Sequence, residues 1–264
     1  MLDPIGVFDS GVGGLTVVSA LRRRLPRESI LYLGDTARLP YGSKSPDTVT
    51  RYTENNIAFL LGRGVKAVVV ACNTASALAL PHLHPQHPNV PTWGVIEPGA
   101  RKAAAVSRGR VGVIATEATV RSDAYPRALR ALRPELEIRS QACPLFVPLV
   151  EEGWHDDPIT EEVAQRYLRP LLDAGIDTLV LGCTHYPLLA TVLARVAGPG
   201  VTLVDSAEAV AEVVAAGLAE QGLEAGESPP ASHFCVTDNG ESFRRLAGLI
   251  LQDPHVPLEW VEVR

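Results

Sequence analysis

Aromatic side chains make up only 5% of this chain, and it contains a single methionine. A core must therefore be built from small aliphatic residues. Alanine, valine and leucine dominate, which suits tightly layered α/β packing. No apolar run approaches the ~20 residues needed to cross a bilayer, so no membrane partner is expected. There is no basic excess: the formal net charge is −6, which leaves no electrostatic footprint for nucleic acid. The start, Met1-Leu2-Asp3-Pro4, lacks the positive region and apolar core of a signal peptide. The expected location is cytoplasmic, where the four cysteines would stay reduced. The lysines are Lys44, Lys66 and Lys102, none in a recognisable cofactor setting. The turn Gly11-Val12-Gly13-Gly14 has neither the G-x-G-x-x-G spacing nor a P-loop lysine, which argues against a nucleotide site. His82, His84 and His87 lie among prolines and read as a solvated loop, so no metal site is expected. Arg22-Arg23-Arg24 reads as the wet face of a helix.

What is present alternates between strand and helix signals. Ile5–Phe8 and Ile30–Leu33 read as strands, with a helix between them that carries Leu15, Val18, Leu21 and Leu25 on one face. Ser45-Pro46-Asp47 opens a helix with a hydroxyl cap, a first-turn proline and an acid at the positive dipole end. That helix should end at Gly62 or Gly64. Val68–Ala71 is a continuous apolar run, expected of a strand covered on both faces. Asn73 begins a helix that Pro81 should kink or end. Trp93–Ile96, Val111–Ile114, Ile138–Gln141, Leu179–Leu181 and Val201–Val204 read as further strands. A helix runs from about Pro158 to Ala174. Gly226-Glu227-Ser228-Pro229-Pro230 is loop-like. A strand (Phe234–Val236), a helix (Phe243–Leu251) and an alternating strand (Leu258–Val263) follow.

This order predicts an α/β fold of two similar domains, each a mainly parallel sheet flanked by helices. Gly6-Val7-Phe8-Asp9-Ser10 is echoed by Gly112-Val113-Ile114-Ala115-Thr116. Cys72 and Cys183 stand 111 positions apart, close to the same offset. Each cysteine follows a strand, and ligands of open α/β sheets bind beyond the carboxyl ends of strands. The active site is therefore expected in the cleft between the domains, with one thiol on each side. At a helix N-terminus the dipole should lower a thiol pKa. The following N–H groups, with Asn73, Thr74 and Thr184, are donors suited to a carboxylate. One thiolate could take a proton while the opposing thiol delivers one. Cys143 and Cys235 lack this setting and read as core residues.

Five stretches together carry a resemblance: Val7-Phe8-Asp9-Ser10-Gly11-Val12-Gly13-Gly14-Leu15, Pro40-Tyr41-Gly42, Ala71-Cys72-Asn73-Thr74-Ala75-Ser76, Pro148-Leu149-Val150-Glu151 and Gly182-Cys183-Thr184-His185-Tyr186-Pro187-Leu188. In order and spacing they resemble the glutamate racemase family, of the cofactor-independent aspartate/glutamate racemase superfamily, over nearly the whole chain. Asp238, followed by Phe243 and an apolar helix, fits the same pattern. Thr116 and Thr119 match the family's threonine-rich turn, with Glu117-Ala118 replacing the more usual residue-glycine pair between them.

The resemblance implies two α/β domains, 1–94 plus 206–264 and 95–205, the C-terminal segment returning to the first. It implies that Cys72 and Cys183 are the acid/base pair, each serving one enantiomer. Asp9 would sit near Cys72, and His185 and Glu151 on the Cys183 side. Ser10, Tyr41 and Gly42 would hold one end of the substrate. Asn73, Thr74, Thr116 and Thr184 would hold its α-amino and carboxylate groups, with Asp9 and His185 close by. The implied activity is racemisation of glutamate, supplying D-glutamate for peptidoglycan. No cofactor is implied; pyridoxal phosphate would need a Schiff-base lysine. The substrate is the expected partner, and the family is often dimeric, so a homodimer is among the expectations. Two rival readings stay open: a racemase for aspartate or a related acid, and a two-lobed amino-acid binding protein without chemistry.

Overall fold

The computed structural model describes residues 3–83, 89–226, 232–238, 240–253 and 255–263. His84, His87 and residues 227–230 lie outside them; His82 is exposed. The chain runs β1 (Ile5–Asp9), α1 (Leu15–Arg24), β2 (Ile30–Gly34), α2 (Pro46–Gly62), β3 (Ala67–Val70), α3 (Asn73–Leu78), α4 (Leu80–Leu83) and β4 (Thr92–Gly94). It continues with α5 (Ile96–Val106), β5 (Arg110–Ala115), α6 (Glu117–Arg121), α7 (Ala124–Leu132), β6 (Glu137–Ala142), α8 (Phe146–Glu151), α9 (Pro158–Asp173), β7 (Thr178–Gly182), α10 (Ala190–Ala197) and β8 (Thr202–Val204). Last come α11 (Ala207–Glu220), β9 (Ser232–Val236), α12 (Glu241–Leu251) and β10 (Leu258–Trp260).

Two sheets result, with orders β10-β9-β2-β1-β3-β4 and β6-β5-β7-β8. Every pairing is parallel. The first four strands of the chain and the four of the second sheet share one order, second-first-third-fourth. Such a sheet reverses direction between its first and third strands, and that switch point opens a crevice at the carboxyl ends.

The central strands of both sheets are buried on both faces, as parallel sheets require. Val7 and Val69 pack with α1, α11 and α12 on one side. Phe8, Val68 and Val70 pack with Val49, Ile57 and Leu60 of α2 on the other. In the second sheet Ile114, Leu179 and Leu181 face Phe146, Leu168 and Leu193. Val111, Val113 and Val180 face Ala100, Ala103 and Leu129. The period of two is visible within each strand, but both sets of neighbours are apolar.

Local signals explain most element ends. The Ser45 side chain accepts from Thr48 N at the start of α2. Helix α3 stops at Leu78, ahead of Pro81. Two strand expectations need correction. Trp93–Ile96 ends as a strand at Gly94, and Ile96 opens α5 instead. Glu97 and Pro98 fall in its first turn, where an acid meets the dipole and a missing N–H costs nothing. The final strand stops at Trp260 rather than Val263. Its partner β9 ends at Val236, whose carbonyl accepts from Val261 N and leaves nothing further to pair.

At the amino ends of the second sheet, Asp177 ties two strand entries together. Its Oδ1 accepts from Ser107 Oγ (2.8 Å), Arg108 N (3.0 Å) and Thr178 Oγ1 (2.7 Å), and its Oδ2 from Arg110 N (2.9 Å). Desolvation acts to raise its pKa, but these donors outweigh it and hold the carboxyl below its ordinary value. A depressed pKa stabilises the fold above the unfolded-state value, and that contribution disappears as pH falls through the folded value. Asp177→Ala should therefore lower stability by about 1–3 kcal/mol at pH 7. In urea titrations, the gap between wild type and variant should close towards pH 3.

Candidate active site

The two switch points face each other. Asp9 ends β1 and Cys72 follows β3; Thr116 follows β5 and Cys183 follows β7. Between them lies a cavity of about 30 Å³, room for one or two waters. Ser10, Tyr41, Gly42, Cys72, Asn73 and Thr74 line it from one side, and Thr116, Glu151, Cys183, Thr184 and His185 from the other. Every residue expected at the site except Asp9 reaches this cavity. Asp9 lies fully buried beneath it.

The two sides approach closely because side chains are absent at the contact. A carbon added to Gly13 would lie 2.5 Å from Thr184 Oγ1 and 2.7 Å from His185 Nδ1. One added to Gly42 would lie 2.5 Å from Thr116 Cβ. Hydrogen bonds join the same surfaces. Thr184 Oγ1 donates to Asp9 Oδ1 at 3.3 Å, and Asp9 Oδ2 accepts from Gly11 N at 3.0 Å. Thr74, Thr116 and Thr119 form a triangle of hydroxyls at 2.9, 3.1 and 3.0 Å.

Cys72 caps α3, and Ala75 N donates to its sulfur at 3.5 Å. The thiol donates to Ser10 Oγ at 3.5 Å. The expectation that the helix end lowers its pKa is reversed. Desolvation, with the Asp9 charge and then Cys183 adding to it, outweighs the bonds from Ser10 and Ala75 and pushes the thiol up to about 12. Burial can move a pKa by ~3–5 units, whereas a dipole end contributes about 1 kcal/mol, less than one unit.

Cys183 also departs from the helix-cap expectation. A 3-10 turn, Tyr186–Leu189, follows it, and α10 starts only at Ala190. Its neighbour is His185, whose Nδ1 lies 3.9 Å from Sγ. The other ring nitrogen stands 3.4 Å from Glu151 Oε1, at ion-pair distance but outside good hydrogen-bond geometry. Burial acts against the imidazolium, yet Cys183, Glu151 and Asp9 together raise its pKa to about 10. Tyr186 packs edge-on against Phe146 at 5.2 Å and so fixes α8, which carries Glu151, against the Cys183 turn. From the first sheet's side, Arg245 Nη2 donates to the Glu151 carbonyl at 2.7 Å.

Asp9 is raised from the usual carboxylate range by burial, although His185, Gly11, Gly14 and Thr184 all oppose the shift. Tyr41 reaches the cavity, but its hydroxyl is turned away to donate to Asp35. Asn56 Nδ2 donates to Tyr41 Oη at 3.0 Å and to Asp35 Oδ2 at 3.2 Å. Thr237, next to β9, donates to Asp35 Oδ1 at 3.0 Å. The residues that set Tyr41 carry no motif and come from three distant segments. Val147, an apolar part of the cavity wall, also has no sequence signal beyond its nearness to Glu151. Asn73 Oδ1 accepts from Tyr125 Oη at 2.7 Å, while its Nδ2 is buried without a partner among the described residues. Cys143 and Cys235 are buried away from the cavity. No group of three or more His, Cys, Asp or Glu among the described residues is placed to hold a metal ion.

Comparison with known proteins bears on what this arrangement serves. The Asp/Glu/hydantoin racemase family model matches residues 13–214. The glutamate racemase of Geobacter metallireducens is 53% identical over 94% of this chain and 92% of its own. The solved glutamate racemase of Francisella tularensis, in complex with D-glutamate, superposes with a TM-score of 0.93 at 39% identity, covering 99% of this chain and 98% of that one. That of Thermus thermophilus, in complex with β-chloro-D-alanine, has a TM-score of 0.88 at 50% identity, covering 99% and 97%. Two thiols facing one closed cavity thus occur in a chain that belongs to the Asp/Glu/hydantoin racemase family, among its glutamate racemases.

Proposed function

We propose that this chain interconverts L-glutamate and D-glutamate by moving protons between Cα and two cysteines, and that it supplies D-glutamate for peptidoglycan in the cytoplasm. One observation carries the reading: Cys72 and Cys183 are buried, free, and line one cavity from equivalent strand ends. The D-glutamate bound to the Francisella tularensis relative supports the substrate. Sheet membership supports a division into 1–94 plus 206–264 and 95–205, with the cleft between them.

In one direction, a thiolate removes Cα–H and becomes a thiol. The electron pair left on Cα delocalises into the substrate carboxylate. The opposing thiol then protonates the other face and becomes a thiolate. The enzyme ends with its proton exchanged between sulfurs, ready for the reverse reaction. With its pKa pushed up to about 12, Cys72 is held as a thiol at neutral pH. His185 stays cationic to about pH 10 and offers positive charge 3.9 Å from Cys183 Sγ. Asp9 disfavours negative sulfur at Cys72 and attracts the substrate's ammonium group. The Asn73 amide and Thr184 supply polar contacts for the carboxylate, Thr74 and Thr116 for the ammonium. Ser10 and the Tyr41-Gly42 backbone border the far end.

Incubation with L-glutamate in D2O should place deuterium at Cα; an unlabelled product would leave a binding protein. Cys72→Ala and Cys183→Ala should each reduce racemisation by at least about 10³-fold, measured by circular dichroism, while retaining glutamate binding. Near-normal turnover in either variant would exclude the two-base scheme. Turnover of L-glutamate should exceed that of L-aspartate under the same assay. His185→Asn should lower kcat about 10- to 1000-fold. Because the raised pKa keeps the imidazolium charged below about 10, the variant should also lose the high-pH limb of the kcat/KM profile near that value.

A further inference from the structure

We propose that Tyr125 is a positioning residue whose phenol holds Asn73 Oδ1 and so fixes the amide with its NH2 group towards the substrate. The proposal rests on the cavity being the glutamate site.

An amide's two ends are nearly equal in size, so shape alone does not orient it. Asn73 lines the cavity, is 3% exposed, and leaves Nδ2 without a partner among the described residues. Its Oδ1 is held by Tyr125 Oη at 2.7 Å. Tyr125 is 1% exposed and comes from α7, across the cleft from α3. Ser206, also buried, lies nearby. Space around the pair is tight: a carbon added to Gly99 would lie 3.2 Å from both Tyr125 Oη and Ser206 Cβ.

The directions follow from counting protons. A phenol has one O–H to donate. Burial holds Tyr125 above its ordinary pKa, so that proton stays in place. The buried phenol proton must find an acceptor, since leaving it unpaired is costly. Among the Asn73 amide atoms only Oδ1 can accept. Nδ2 is thereby turned to the cavity as a donor, the polarity that a carboxylate requires. The opposite rotamer would aim Oδ1 at the carboxylate, two acceptors in contact. Tyr125 does not line the cavity; it acts through Asn73.

A double-mutant cycle on the full-length enzyme tests this. KM and kcat for L- and D-glutamate are measured for wild type, Tyr125→Phe, Asn73→Ala and the double variant. Tyr125→Phe should raise KM about tenfold, the value of one hydrogen bond to a charged group, with kcat within about threefold. In the Asn73→Ala background the same change should add less than about twofold. An equal rise in both backgrounds would reduce Tyr125 to a packing role and overturn the proposal, as would an unchanged KM in Tyr125→Phe alone. Should Tyr125→Phe fail to fold, Asn73→Asp decides. It keeps an oxygen for Tyr125 to hold and replaces the NH2 by a second acceptor, so KM should rise at least about tenfold with the thermal midpoint held. An unchanged KM there would overturn the proposal. Wild-type protein inactive on glutamate would instead remove the glutamate reading itself, an outcome separable from the others.

Discussion

Two protein surfaces meet at this site without side chains between them. At Gly13 and Gly42 a single extra carbon would collide with Thr184 and Thr116. That steric condition comes before the chemistry. It brings the turn after β1 against the turn after β7, and the turn before α2 against the start of α6. Only then can Thr184 reach Asp9, the three threonine hydroxyls close their triangle, and one cavity carry both sulfurs. The repeated strand order supplies the two crevices, and the glycines let them merge.

Merging the crevices also buries their polar groups, and burial then governs charge. Asp9, Cys72 and His185 are all deeply buried, so each departs from its ordinary pKa. The shifts differ because the neighbours differ. Cys72 has an acid nearby, its contacts with Ser10 and Ala75 do not offset burial, and it stays a thiol. His185 has an acid on one side and sulfur on the other, and stays cationic. Two thiols at equivalent strand ends thus have unlike neighbours, Ser10 beside one and His185 beside the other. The near-symmetry of the backbone does not extend to the electrostatics.

Much of this architecture was legible in the residues. Continuous β-branched runs marked the buried strands, and Ser45-Pro46-Asp47 marked the start of α2. The cysteine pair at strand ends marked the cleft. Other parts left no local trace. Helix α11 packs against α1 and α5, and alanines such as Ala216 and Ala219 stand on its exposed face as well as its buried one, so it shows little helical periodicity. Val95 and Ile96 look like strand but start a helix. The grip of Asp35 and Asn56 on Tyr41 joins residues 21 and 15 positions apart and has no motif. The sign of the Cys72 shift has the same kind of origin. A helix end can be read from a sequence, whereas the depth at which folding sets it cannot.

The six-stranded sheet takes β9 and β10 from the far end of the chain, beyond all four strands of the other sheet. The four-stranded sheet is one uninterrupted stretch, Arg110–Val204. During synthesis, that stretch can emerge and pack while the six-stranded sheet still lacks an edge. Strand β2 then waits with an open side until residues 232–236 leave the ribosome, and such unpaired edges invite association with other chains. The threading that encloses the cleft therefore gives the newborn chain an interval in which its second-formed half must be kept from wrong partners.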